Sequence, residues 1–132
     1  MKKIEVVAAI VICGDEILCV QRPKSKLPYI SEKFEFPGGK IEQGETKKGA
    51  LKREMMEELN VNPYIDDLYL TVVHQYPDFE LTMHSFLCKL DDKSDIVLHE
   101  HIDQQWLSKE ALINLDWAEA DIPIVKKLMG NE

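Results

Sequence analysis

The stretch "FPGGKIEQGETKKGALKREMMEELNV", Phe36–Val61, gathers three glutamates, Glu54, Glu57 and Glu58, near the end of a segment patterned as a helix. The chain already carries a formal net charge of −8. Each anion in the last helical turn opposes the helix dipole at a cost of about 0.3–1 kcal/mol. The i,i+4 pair Glu54–Glu58 adds about 0.2–0.5 kcal/mol of like-charge repulsion. So unfavourable an arrangement needs a reason.

From Thr46 to Leu59 the period is helical, with Leu51, Met55 and Leu59 forming a narrow apolar stripe. At 3.6 residues per turn the three glutamates fall within an arc of about 100°, on the flank beside that stripe. Asn60 tolerates the left-handed conformation that closes a helix. One reading is a solvated charged face, with Arg53 pairing with Glu57. The other is a divalent-cation site, where the cation turns the repulsions into coordination. Oxygen donors without a nearby His or Cys suit Mg²⁺, Mn²⁺ or Ca²⁺ better than Zn²⁺. No EF-hand spacing is present, and Mg²⁺ is usually held by a few carboxylates together with substrate phosphates. Phosphorus–oxygen chemistry is the matching reaction class.

Working outward, Val6–Cys13 and Ile17–Gln21 are β-rich runs joined at Gly14-Asp15-Glu16, a predicted hairpin. A polar loop, "RPKSKLPYISEK", leads to a short strand, Phe34–Phe36, stopped by Pro37 and Gly38-Gly39. Beyond the helix, Leu68–Tyr76 and Phe79–Leu90 form a second predicted hairpin around Pro77-Asp78. A loop follows, then a short strand at Gln105–Leu107. Ser108 is placed to cap a short helix through Leu115, and Asp121 to cap a last helix ending near Gly130. Hairpins mixed with a few helices predict an α+β fold with a mixed sheet and helices on its faces.

The 132 residues fit one domain, 1–132, with no repeat or low-complexity linker. The acidic balance excludes nucleic-acid or membrane binding through bulk charge, but not an anionic ligand reached through a cation. The opening "MKKIEVVAAIVIC" resembles a short signal peptide, yet Glu5 interrupts it and no A-x-A-like site follows, so it reads as a strand. Cys13, Cys19 and Cys88 lack zinc-type spacing and lie in apolar runs, as buried thiols of a cytoplasmic protein would. Fourteen lysines stand against two arginines, Arg22 and Arg53. Where only charge is needed this chain uses lysine, so its arginines are expected to serve geometry: Arg22 as a fork for phosphate, Arg53 inside the acidic helix.

The spacing Gly39-x5-Glu45-x7-Arg53-Glu54-Met55-x-Glu57-Glu58-x-Asn60-Val61 closely resembles the Nudix box of Nudix hydrolases. Asn60 stands where that family usually has Gly. "EFPGGK" and the tail "LDWAEADIPIVKKL" resemble the MutT and CTP-pyrophosphohydrolase branch. The resemblance implies an α/β/α sandwich that cleaves a nucleoside triphosphate to monophosphate and pyrophosphate, using Mg²⁺ with Mn²⁺ as the substitute. It implies Glu54, Glu57, Glu58 and the Gly38 carbonyl as metal ligands, with Arg53 and Glu45 bracing the loop and helix. Arg22 and Lys40 would grip phosphate. Glu100, in "LHEHIDQQW", occupies the place of a glutamate that reaches the metal and acts on water. His99 and His101 flank it, and on an extended segment they would face the same way.

A polar residue before the last helix would read the base. That residue is Asp121 here, where MutT has Asn, suited to 8-oxoguanine. An ionised Asp only accepts and so favours an exocyclic amine such as N4 of cytosine, while a buried, protonated Asp can also donate. Asp121 as a plain helix cap stays open. Phe36, Tyr76, Phe86 and Trp117 are candidates for stacking on the base, with core packing as their alternative. The expected partner is a nucleoside triphosphate, to a monomer or homodimer, without nucleic acid or membrane. The alternatives are hydrolysis of ADP-ribose or another nucleoside diphosphate derivative, and a non-catalytic nucleotide-binding module.

Overall fold

The computed structural model describes residues 1–130. Seven strands form one mixed sheet: β1 (Lys2–Cys13), β2 (Glu16–Gln21), β3 (Phe34–Glu35), β4 (Gly38–Lys40), β5 (Tyr64–Gln75), β6 (Phe79–Lys89) and β7 (Asp103–Leu107). Their order is β3-β2-β1-β6-β5, with β4 paired to β1 and β7 to β2. β1 runs parallel to β6 in unbroken register from Lys2 opposite Phe79 to Ile12 opposite Lys89. The other neighbouring pairs are antiparallel.

Alternation along β1 divides the core into two layers. Val7, Ala9 and Val11 face helix α1 (Lys47–Leu59), packing with Leu51, Met55 and Leu59. Ala8 and Ile10 face the opposite layer, which holds Phe36, Trp117 and Ile124. Ile124 belongs to α2 (Ile122–Leu128). Helices therefore cover both faces of the sheet, the sandwich that the resemblance implies.

Helix α1 begins and ends where its sequence dictates. Thr46 Oγ1 accepts the Gly49 amide at 3.0 Å, a side-chain N-cap. Asn60 adopts φ 58° and its amide bonds Met56 O at 3.1 Å, the left-handed αL turn that closes a helix, while the Val61 amide reaches Met55 O at 3.4 Å.

Several local expectations change. Gly38–Lys40 is not only a stop but strand β4, with Val7 opposite Gly39 and Ala8 opposite Gly38. A side chain at Gly38 would strike the Val7 carbonyl, so backbone contact takes the place of side-chain pattern. β5 starts at Tyr64, earlier than expected, and passes through register shifts between Ile65 and Leu70 that blur its alternation. Ser108 precedes a 3₁₀ helix (Lys109–Asn114), not an α-helix, and its hydroxyl makes no capping bond. Asp121 ends a 3₁₀ turn with helical dihedrals and does not cap α2. Cys19 and Cys88 are buried free thiols, while Cys13 is partly exposed.

Candidate active site

The turn after β4 and the start of α1 are locked together through Arg53. Its Nε donates to Glu45 Oε2 at 2.7 Å and its Nη2 to Glu45 Oε1 at 2.9 Å, a two-point fork. Nη2 also donates to the Lys40 carbonyl at 3.0 Å, and Nη1 reaches Glu54 Oε1 and Glu57 Oε1, both at 3.0 Å. Glu45 in turn accepts the Glu42 amide at 2.9 Å. These bonds, the Arg53 side chain first and the Glu42 amide second, pull the Glu45 carboxyl down to about 2. Arg53 thus ties the helix to the loop, and it touches the glutamates without entering the cleft lining.

Beside this brace lies a cleft of about 850 Å³. Its lining brings together Gly38, Gly39, Lys40, Glu54, Glu58 and Glu100 from three separate parts of the chain, with Arg22, Phe36 and Asp121. Of the nine residues expected to bind substrate or metal, only Glu57 is absent from that lining. Its side chain is exposed, yet it shares Arg53 Nη1 with Glu54, so the two carboxylates are neighbours.

Glu58 is 5% exposed, and its Oε1 is buried with no hydrogen-bond partner. Burial first, then Glu100 within hydrogen-bonding reach, then the charge of Glu54, push its carboxyl up to about 10. Glu54 is also raised, chiefly by burial, although Arg53 opposes the shift. Among the described residues, no three His, Cys, Asp or Glu side chains converge on one point as metal ligands. Glu54 and Glu57 each give an oxygen to Arg53. The set still fits a hard divalent cation on three observations. Its donors are all oxygens, one of them orphaned; the carboxyls are crowded at a cost that a bound cation removes; and the missing Cβ of Gly39 makes room for the Glu54 carboxylate.

Glu100 is placed by the backbone of its own loop. The amides of Val97 and His99 donate to the carbonyls of Leu59 and Glu58 at 3.0 and 3.1 Å. These carbonyls belong to the helix end, which needs such partners. The loop, which follows β6, therefore docks on the last turn of α1 and sets Glu100 beside Glu58. The two flanking histidines do not act together: His99 is exposed, while the His101 side chain is 4% exposed and meets Glu35 Oε2 at 3.0 Å. Arg22 Nη1 donates to the other oxygen of Glu35 at 3.2 Å. Glu35, absent from the sequence-based set of site residues, thus links two residues of the cleft. The signal available for it was its position immediately before Phe36.

Asp121 is buried, and its Oδ1 accepts the Phe36 amide at 3.1 Å. Burial raises this carboxyl well above the usual carboxylate range, helped by the charge of Glu35 and opposed by the Phe36 amide and Arg22. The acid therefore favours its neutral form, which both donates and accepts. Phe36 is 2% exposed and stacks on Trp117 with ring centroids 4.8 Å apart, so it contributes wall and backbone. Trp117 and Phe86 belong to the two core layers, and Tyr76 is 3% exposed while still lining the cleft.

Known proteins are similar to this chain in sequence and fold. The sequence matches the NUDIX domain over residues 3–128. It is 33% identical over 130 residues to the CTP pyrophosphohydrolase of Escherichia coli K12, covering 98% of this chain and 94% of that protein. Against the 8-oxo-dGTP diphosphatase of the same organism, identity is 29% over 128 residues, covering 97% and 98%. The solution structure of MutT from methicillin-resistant Staphylococcus aureus 252 superposes with a TM-score of 0.75 at 39% identity, with both chains fully covered. Since the match spans residues 3–128, with both helices and the Arg53 brace inside it, this chain is a MutT-like member of the Nudix hydrolase family.

Proposed function

We propose that this hydrolase cleaves nucleoside triphosphates to monophosphate and pyrophosphate with Mg²⁺, Mn²⁺ serving as substitute, and that it prefers (d)CTP-like or damaged bases. The observation that carries the reading is the meeting of Glu54, Glu58 and Glu100 in one cleft with Arg22 and Lys40. Carboxylates alone repel a triphosphate, and two cationic side chains cannot offset them. Glu54, Glu57, Glu58, Glu100 and the Gly38 carbonyl would hold the divalent cation. Once bound, it neutralises charge on the phosphate chain and makes the phosphorus more open to attack. Glu100, exposed and within the cleft lining, takes the proton of the attacking water. Arg22 and Lys40 grip phosphate oxygens.

Asp121 reads the base. Its neutral acid form accepts from an amine and donates to an adjacent ring nitrogen, the pattern that cytosine offers at N4 and N3. The likeness to a CTP pyrophosphohydrolase supports that choice. The raised Asp121 acid also favours a second reading, since the same group can donate to O6 and accept from N1–H of an 8-oxoguanine. Buried free thiols at Cys19 and Cys88 fit work in the reducing cytoplasm, with the chain acting as one domain. Among the described residues no helix is long and apolar enough to cross a membrane.

The test is a product analysis with Mg²⁺ and a panel of normal, oxidised and methylated nucleoside triphosphates, with ADP-ribose alongside. Monophosphate plus pyrophosphate from one or a few triphosphates is expected. Cleavage of ADP-ribose alone overturns the triphosphate reading, and no cleavage of any substrate points to a nucleotide-binding module.

A further inference from the structure

The segment that carries Glu100 is held at both ends by main-chain bonds, His99 N to Glu58 O at 3.1 Å and Ile102 N to Gln21 O at 3.0 Å. Glu100 itself is exposed, so packing does not fix its direction. Between the two anchors the tie is a side chain. His101 is turned inward and meets Glu35 Oε2 at 3.0 Å, 66 residues away in sequence. A carboxylate oxygen accepts, so Nε2 is the donor in this bond and Nδ1 is the ring nitrogen that remains. That Nδ1 is buried without a partner.

The side-chain bond that the ring does make joins the segment carrying Glu100 to Glu35, a residue of the cleft lining. Glu35 is pinned from its other side by Arg22 Nη1 at 3.2 Å. It therefore gives His101 a fixed partner rather than a mobile one. The line Arg22–Glu35–His101 runs through the cleft lining to the residue next to Glu100.

We propose that His101 is a positioning residue: its bond to Glu35 clamps residues 99–102 so that the Glu100 carboxylate stays against Glu58. The inference rests on the reading of Glu100 as the group that handles the attacking water. It assigns His101 no contact with substrate and no proton of its own to transfer. A side chain adjacent to a reacting group commands its direction, and a displacement of about 1 Å at such a group costs on the order of 10²-fold in rate.

Four variants test it: His101→Ala, His101→Gln, Glu100→Gln and the double variant Glu100→Gln/His101→Ala. His101→Ala should lower kcat about 10–100-fold with KM changed by less than about threefold, the signature of misplaced machinery. His101→Gln, whose amide can still donate to Glu35, should recover most of the loss. The double variant should be no slower than Glu100→Gln, because a residue acting through Glu100 has nothing left to position. In the metal-free protein, His101→Ala should also speed hydrogen exchange at the His99 and Ile102 amides by about tenfold, leaving the β1–β6 amides protected. Unchanged kcat in His101→Ala overturns the proposal. So does an additive loss in the double variant, or exchange that does not change. Full activity in Glu100→Gln is a distinct outcome: it removes the catalytic reading of Glu100 itself and the clamp falls with it.

Discussion

Arg53 and Glu45 form the tightest charged contact of the candidate site, two parallel bonds of 2.7 and 2.9 Å across eight residues. The fork joins the loop before α1 to the middle of the helix and leaves Glu54 facing the cleft. Arg53→Lys keeps the charge but loses the fork. Its expected effect is a fall in kcat of about 10–100-fold through misplacement of Glu54, with folding retained. Steady-state kinetics beside circular dichroism separate the two.

The same pair sets an acid limb of stability. Glu45 is held down to about 2 in the folded protein, against 4.5 ordinarily. Between those values the unfolded chain binds more protons, so stability should be complete above about pH 4.5 and lost as pH falls toward 2. Glu45→Gln should start from a lower Tm at pH 7 and lose less on acidification through that window. Parallel Tm-against-pH curves for the two proteins would refute the assignment.

Glu58→Gln should stop turnover, lowering kcat by about 10³-fold or more, because charge stabilisation at the phosphate chain is worth several kcal/mol and each 1.36 kcal/mol is tenfold. Glu57→Gln should also lose turnover if its carboxylate moves from Arg53 to the cation. Neither change should unfold the chain. Glu58 is buried with an unpartnered oxygen, so an isosteric amide leaves its packing in place. Normal turnover in both variants would dismiss the metal assignment.

Asp121→Asn keeps an oxygen for the Phe36 amide and replaces the acid by a donor. The ratio of kcat/KM for CTP over 8-oxo-dGTP should fall about tenfold, the worth of one hydrogen bond in a buried site. Asp121→Ala should lose activity on both and about 1–3 kcal/mol of stability, since the Phe36 N–H is then left unpaired. Unchanged selectivity in Asp121→Asn would reduce Asp121 to a structural role.

The thiols report on the packing. Burial pushes the thiols of both Cys19 and Cys88 up to about 12. A thiol reagent at pH 8 should label Cys13 quickly in the native protein and all three only after unfolding. Rapid native labelling of Cys88 would contradict the layer between α1 and the sheet.

What could be read from the sequence was whatever short spacing controls. Thr46, the Leu51–Met55–Leu59 stripe and Asn60 delimit α1 almost to the residue, because capping and periodicity are local. The glutamate arc followed from the same geometry. Strand β4 escaped because two glycines carry no pattern, and what holds them is the backbone of β1. Asp121 looked like a helix cap because its sequence neighbours are helical. Its true partner, the Phe36 amide, lies 85 residues away. Glu35 and His101 were missed as a pair for the same reason, although the His-Glu-His triplet had marked the place. Local physics defined the elements, and contacts between distant segments decided which side chains share the cleft.

We propose that the carboxylates of α1 and Glu100 form a divalent-cation site. Manganese binding followed by electron paramagnetic resonance, in the wild-type protein and in Glu58→Gln and Glu54→Gln, tests it without reference to any substrate. The wild-type protein is expected to deplete the free Mn²⁺ signal, with Mg²⁺ restoring it by competition, whereas both variants bind at least about tenfold more weakly. Equal binding by all three proteins would contradict it.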